Sequence, residues 1–516
     1  MSANNITNIS TLILQFNANG LKNHINVLET VLYNKRIDIA LITETHFTKY
    51  THINIPGYKV LKTNHPDNTA QGGVAIIIKS SIVYQPLPNF CQEYLQSCAL
   101  VTKINNVPVT IAAVYSPPKH KITNQIFTDY FNSINNNFIA GGDYNAKHLA
   151  WGCRVNNPRG IVLQNFISTK NYKILAPPGP TYWPTSTRKN PDILDIFVTK
   201  IPSNLNCYTE NLLELNSDHS SILLTISAAP LIRLESPKLF KPSTDKNKFH
   251  DLVNQQIKLN VKLKSTNDID HAVNNFTKLI QSAAWSSTPE TLTSFHNPLL
   301  PEYIRCIIVE KRRARAIFQR TRLPSHKHKY NKLTNYLKKV LAKHKSETFN
   351  NFLSNLSPKD GSLWRATKNI CKFKTSNLPI KNPDGSYVTS DADKAELFKV
   401  HLSDIFQPHP DIYSQTNTNI VEDFLNSPPY LPSNPIKHFT PNDIKYAINK
   451  YSLKKSPGFD LVTAEVARCL PNKAFIHLSH IFNSIIRLSY FPMLWKFSII
   501  ILVPKPNKPP DSITSF

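Results

Sequence analysis

Seven short apolar runs recur between residues 9 and 228: TLILQF, DIALITE, GGVAIIIK, VTIAAVYS, NNFIAGGD, DILDIFVT and SILLTIS. They are rich in Ile, Val and Leu and too short for buried helices, so they read as strands. HINVLETVLYN and GIVLQNFISTKN, between them, carry helical spacing, and Gly and Pro mark the joints. This alternation restricts the region to a mixed α/β domain.

The same runs break off at polar residues. One ends at Asn17, one at Glu44, one at Tyr115, and one gives way to Asp143 and Asn145. Asp195 lies within DILDIFVT, and Asp218 and His219 directly precede SILLTIS. Any one of these could be an ordinary turn residue. Together they place carboxylates, amides, a phenol and an imidazole at strand ends, where α/β sites form. In GGDYNAKHLAWG, residues i and i+2 of an extended chain face one side, so Asp143 and Asn145 are expected to face one spot. The paired glycines before them would let the backbone pass close to a ligand. Carboxylates hold a hard divalent cation, which neutralises phosphate and activates water. A carboxylate can also deprotonate an attacking water, and His, Asn and Tyr can donate to phosphate oxygens. No Ser or Cys nucleophile with a paired base stands out. The set suits metal-assisted phosphodiester hydrolysis.

Charge divides the chain. Its 516 residues carry a net charge of +26, yet residues 1–228 hold 18 Lys+Arg against 12 Asp+Glu. The rest is therefore the strongly basic part, and it is expected to attract phosphate backbones. Between Arg305 and Lys345 there are 14 Lys+Arg and one acid, Glu310. Apolar residues recur there at helical spacing (Ile304, Ile307, Ile308; Leu333, Tyr336, Leu337, Val340), so one face packs and the other is cationic. Lys311, Arg312 and Arg313 are the expected substrate-binding cations of this stretch. Seven scattered cysteines without a CxxC argue against a disulfide framework or a zinc ribbon. Neither a signal peptide nor an apolar span of membrane length is legible, so a soluble, intracellular protein without membrane contact is expected.

Further on, NPDG marks a turn before the amphipathic segment ADKAELFKVHLSDIF, and Thr440 is an expected N-cap for TPNDIKYAINK. SIIILVPK reads as a strand.

Residues 9–228 resemble the endonuclease/exonuclease/phosphatase superfamily, in its apurinic endonuclease-like branch. The resemblance rests on FNANGL, TETH, GGVAIIIK, VYSPP, GGDYNAKHLAWG, the TYWPTS…DILDIFV run and SDH, in that order. KHLAWG and the WPTS-to-LDI run are similar to the endonuclease domain of jockey-type non-LTR retrotransposons. KSPGFDLVTAEVARCLP and ILVPKPNKPPDSITSF resemble the opening of their reverse transcriptase.

The resemblance implies a four-layer α/β-sandwich over 9–228, a mainly helical basic region over 229–370, and an incomplete reverse-transcriptase fingers segment over 371–516. It implies that Glu44 ligates the metal, Mg2+ or Mn2+, with Asn17 close by and Asp218 in the metal-side network. Asp143 would position or deprotonate the water, Asn145 and Tyr115 would contact phosphate, and His219, held by Asp195, would stabilise it. Thr181 would line the site. The implied activity is nicking of double-stranded target DNA in the nucleus, leaving a 3′-hydroxyl primer. On charge alone, the element's RNA is a second expected partner.

Phe16, Gln71 and the Ser220–Ser221 pair depart from the family's usual Trp, Arg and nearby Pro, but none removes a catalytic group. Beyond Pro457 the only aspartates are Asp460 and Asp511, and no Asp-Asp pair occurs anywhere, so polymerisation is not expected. Repair nucleases, inositol-phosphate or sphingomyelin phosphodiesterases, and an inactive nucleic-acid-binding remnant are the alternatives.

Overall fold

A computed structural model describes residues 10–186, 188–232, 237–289, 300–371, 379–388, 390–407, 414–428, 437–453, 455–505, 507–509 and 511–516. The chain forms two compact units, Met1–Leu234 with His296–Leu397, and Glu235–Phe295 with Phe398–Phe516. The expected middle region, 229–370, is thus divided between them.

In the first unit the strands are β1 (Thr11–Asn17), β2 (Ile39–Thr43), β3 (Tyr58–Thr63), β4 (Val74–Lys79), β5 (Tyr84–Pro86), β6 (Phe90–Gln92), β7 (Leu95–Ile104), β8 (Val107–Tyr115), β9 (Phe138–Asp143), β10 (Lys173–Leu175), β11 (Asp195–Lys200), β12 (Cys207–Leu212) and β13 (Ser221–Ile226). One sheet has the order β12-β13-β1-β2-β4-β3 and the other β10-β11-β9-β8-β7-β5, with β6 also on β7. All seven expected strands of this domain are present.

Ile13, Leu41, Ile76, Ile139, Phe197 and Leu224 belong to one buried cluster fed by both sheets. Strands buried on both faces become near-continuous apolar runs, which is how they read in the sequence. Helices cover the outer faces: α1 (Ile25–Asn34) on the first sheet, α2 (Asn124–Asn132) and α3 (Pro158–Lys170) on the second. The result is the expected four-layer α/β-sandwich.

The basic stretch forms α4 (Glu302–Thr321) and α5 (Pro324–Ser354). Ile304, Ile307, Leu337 and Leu341 join the cluster that contains Leu28 and Leu32 of α1. The basic helices therefore extend the outer helical layer of the sandwich.

In the second unit, Phe249, Phe276, Ile444, Val466 and Phe475 share a helical core. Thr440 caps its helix in a reciprocal capping box with Asp443. The strand expected at SIIILVPK is absent: Ser498–Pro504 is irregular, and Ile499, Ile500, Ile501 and Val503 are exposed. An apolar run becomes a strand only with a hydrogen-bonding neighbour, and none pairs with it among the described residues. No helix among the described residues is long and apolar enough to cross a membrane.

Candidate active site

Strand register assembles the polar residues. Asp143 ends β9 opposite Tyr115 on parallel β8 and opposite Asp195 on antiparallel β11. In the other sheet Asn17 ends β1 opposite Thr43, one residue before Glu44. Glu44, Tyr115, Asp143, Asn145, Asp218 and His219 all line one open cavity of about 640 Å3.

Asp143 is buried. Its Oδ2 accepts from Asn17 Nδ2 at 3.0 Å and its Oδ1 from the Asn145 backbone N–H at 2.9 Å. Burial, Asp195 and Glu44 push its carboxyl up to about 7, against the pull of His219. The same Asn17 nitrogen donates to Glu44 Oε1 at 2.8 Å, while Asn17 Oδ1 accepts from the Asn19 N–H. Asn17 thus spaces two carboxylates with one amide group. Burial raises the Glu44 carboxyl, but hydrogen bonds from His46 and Asn17 outweigh it and leave it below its ordinary value.

His219 Nδ1 lies 2.7 Å from Asp195 Oδ2, and Asp195 Oδ1 accepts from Gln15 Nε2 at 2.9 Å. Burial disfavours the imidazolium, yet Asp195, Asp143 and Asp218 together lift His219 to about 10. The ring sits 5.0 Å from that of Tyr182. Tyr115 is pushed well up by burial, Glu44 and Asp143, so it is a neutral donor.

Three expectations need correction. Asp143 and Asn145 are not an extended i, i+2 pair: Asn145 has φ 48° and its amide Nδ2 donates to Ser116 O at 3.2 Å. An Asx turn, stabilised by Asp143 itself, brings both to the cavity. The paired glycines face protein rather than ligand. A Cβ on Gly141 would meet Phe197 at 2.5 Å, and one on Gly142 the Val114 carbonyl oxygen at 1.8 Å. Thr181 is fully buried and off the cavity wall, since its hydroxyl accepts from the Leu194 and Asp195 N–H groups at 3.0 and 3.1 Å. It positions Asp195.

Lys311 also departs from expectation. It is 1% exposed and donates to the Glu214 carbonyl, because it lies on the packed face of α4. Arg312 is half-exposed and 3.5 Å from Glu214 Oε1, and Arg313 is exposed. The residue that sequence reasoning missed on this helix is Arg315. Buried, it donates to the carbonyls of Leu215, Ser217 and His219 and so holds the loop that carries Asp218 and His219. Gln319 and Trp183 add hydrogen bonds to Ser220 Oγ, each at 3.1 Å.

Arg159 was missed as well. It is buried and donates to the carbonyls of Ser116, Tyr144, Pro117 and His120 at 2.6–3.1 Å. It fastens the loop after Tyr115 to the turn after Asp143. Asn157 before it caps α3 and accepts from Lys147 N, which fixes the entry of Arg159.

Glu44, Asp143 and Asp218 offer oxygen donors around a single cavity, and four carboxylates, counting Asp195, face one buried imidazole. That excess of negative charge and the all-oxygen donors fit a hard divalent cation. Ligand atoms of Asp143, Asp195 and His219 also lie within 4.8 Å of one another. There, however, His219 Nδ1 is spent on Asp195, and an imidazole held protonated is no ligand.

Residues 109–223 match the family model described as Endonuclease-reverse transcriptase. The chain is 34% identical over 507 residues to the RNA-directed DNA polymerase from mobile element jockey of Drosophila melanogaster, covering 97% of this chain and 55% of that protein. The corresponding jockey protein of Drosophila funebris is 33% identical over 489 residues, covering 93% and 53%. Over almost its whole length the chain is similar to these jockey RNA-directed DNA polymerases. It spans about half the length of the curated relatives it matches. Among solved structures, the endonuclease domain of TRAS1, a telomere-specific non-LTR retrotransposon, is 20% identical with a TM-score of 0.35, covering 42% of this chain and 98% of that one. The AP endonuclease LMAP from Leishmania major is 14% identical with a TM-score of 0.35, covering 42% and 88%.

Proposed function

We propose that the chain is a metal-dependent DNA endonuclease that nicks duplex target DNA and leaves a 3′-hydroxyl. The observation that carries this reading is that Glu44, Asp143 and His219 line one open cavity and are held there by Asn17 and Asp195 behind it. Water attacks phosphorus, the bond from phosphorus to O3′ breaks, O3′ takes up a proton from solvent, and the products are a 5′-phosphate and a 3′-hydroxyl. Asp143 takes the proton of the water, which its raised pKa suits near neutral pH. Asn145 and Tyr115 donate to phosphate oxygens. His219, kept charged by Asp195, offers its other ring N–H to the phosphate as negative charge grows.

Glu44 and Asp218 would hold Mg2+ or Mn2+, and Asn17 sets the spacing between Glu44 and Asp143. When bound, the cation neutralises the phosphate and the departing oxygen. Exposed Arg312 and Arg313 are the remaining expected DNA contacts of the basic stretch, and element RNA is a further proposed partner, resting on charge. Such an activity would act in the nucleus. Residues 371–516 are proposed as the N-terminal part of a reverse transcriptase.

End chemistry tests the reading. The full chain is incubated with duplex DNA and Mg2+, and the products are offered to a DNA polymerase without phosphatase treatment. Direct extension from the nick is expected. Nicks that extend only after phosphatase treatment would contradict the bond assignment.

A further inference from the structure

A second cavity, of about 240 Å3, lies beside the candidate site, and Asp218 lines both. Its wall comes from His24, the Trp183–Thr185 stretch, the loop before His219, and α4 and α5, all within one compact unit. Asp218 is its one carboxylate; Lys327, Lys338 and Arg315 are its cations. Arg315 is committed to backbone carbonyls, which leaves the two lysines of α5.

Two buried residues on this wall are incompletely satisfied. Asn216 is 4% exposed and its Nδ2 has no partner; Thr334 is 8% exposed and its Oγ1 has none. An unmatched buried polar group is unfavourable, so two on one wall point to a ligand that completes them. His24, on the same wall, is drawn down to about 4 by burial first and then by Lys338 and Lys311, so it adds no charge beside the two lysines. Amide and hydroxyl donors beside two ammonium groups match a group with several anionic oxygens.

We propose that this cavity holds a backbone phosphate of the DNA strand, flanking the one that is cut. The continuity through Asp218 selects a phosphate of the substrate strand rather than a free anion. The identity of the ligand rests on the DNA-nicking reading; the site itself rests on its wall. Phosphate contacts of this kind fix register without reading sequence.

The test measures binding of the full chain to a short labelled duplex in EDTA across a salt series, for the wild type, a Lys327→Gln/Lys338→Gln variant and Thr334→Val. The lysine variant should bind more weakly at low salt, with a salt slope shallower by about 1, the loss of one neutralised phosphate. Thr334→Val removes the hydroxyl at similar volume; it should weaken binding without lowering the melting temperature. Unchanged affinity and slope in both variants would overturn the proposal. Binding in EDTA does not depend on catalysis, so an enzyme that fails to nick while showing these losses would refute the nuclease reading and support the phosphate site.

Discussion

At Asp143 two demands collide. Burial, Asp195 and Glu44 all favour the neutral acid, while the chemistry needs the anion. A carboxyl whose folded pKa lies above its unfolded value holds its proton more tightly when folded. The metal-free protein should therefore gain stability as pH falls from above about 7 toward the ordinary carboxylate range. Asp143→Asn should abolish nicking, raise the metal-free melting temperature at about pH 8 and flatten this dependence. Thermal melts across pH in EDTA read it; an Asn variant that melts lower would contradict the account. His219 has the usual sign for a paired imidazole. Its contribution is full below the unfolded value and lost as pH rises through about 10. Asp195→Asn should bring that limit down, so nicking in the variant should fall off at lower pH than in the wild type. A pH–rate profile with an unmoved alkaline limb would remove Asp195 from this role. Glu44, Asp143, Asp195, Asp218 and His219 were legible because each polar residue interrupts or adjoins an apolar run. Gln15 carried the same signal, a polar residue inside LILQF, and was overlooked. Arg159 and Arg315 were not legible, because their role is to donate to carbonyls that only the folded chain brings near.

Among the elements, strands that are near-continuous apolar runs declared themselves, while β3, β7 and β12 did not. Leu95–Ile104 mixes Gln96, Ser97, Thr102 and Lys103 with its apolar residues, and Gln96, Ser97 and Thr102 are buried through specific partners such as Ser97 with Tyr130. Composition suggested that α4 is a cationic face; packing makes it a clamp. Arg315→Ala should cost about 1–3 kcal/mol and slow nicking, because the carbonyls of Leu215, Ser217 and His219 lose their donor. Denaturant melts and turnover measurements check both. Lys311 is the contrasting case, since burial draws its ammonium down to about 7. Lys311→Met should leave the salt slope of DNA binding unchanged and alter stability by no more than about 1–2 kcal/mol. A shallower slope would return Lys311 to the DNA-contacting set.

For the molecule as a whole, the domain edge drawn at residue 228 cuts through a shared core. Leu28, Leu32, Ile304, Ile307, Leu337 and Leu341 belong to one buried cluster, although the helices that supply them lie far apart in sequence. Sequence reading placed that edge where the last strand ended, since nothing local shows which distant helix covers a sheet's outer face. A fragment ending at residue 228 would leave that apolar surface in water, and it should melt below the full chain and bind a hydrophobic dye more strongly. Equal melting would show that α4 and α5 add nothing to the sandwich. For that reason the decisive assay uses the full chain. It is incubated with supercoiled plasmid and Mg2+, with and without EDTA, beside Asp143→Ala. The account predicts open circles that require the metal and are absent with the variant; a folded wild-type chain that leaves the plasmid supercoiled, or an Asp143→Ala variant that nicks equally well, would contradict it.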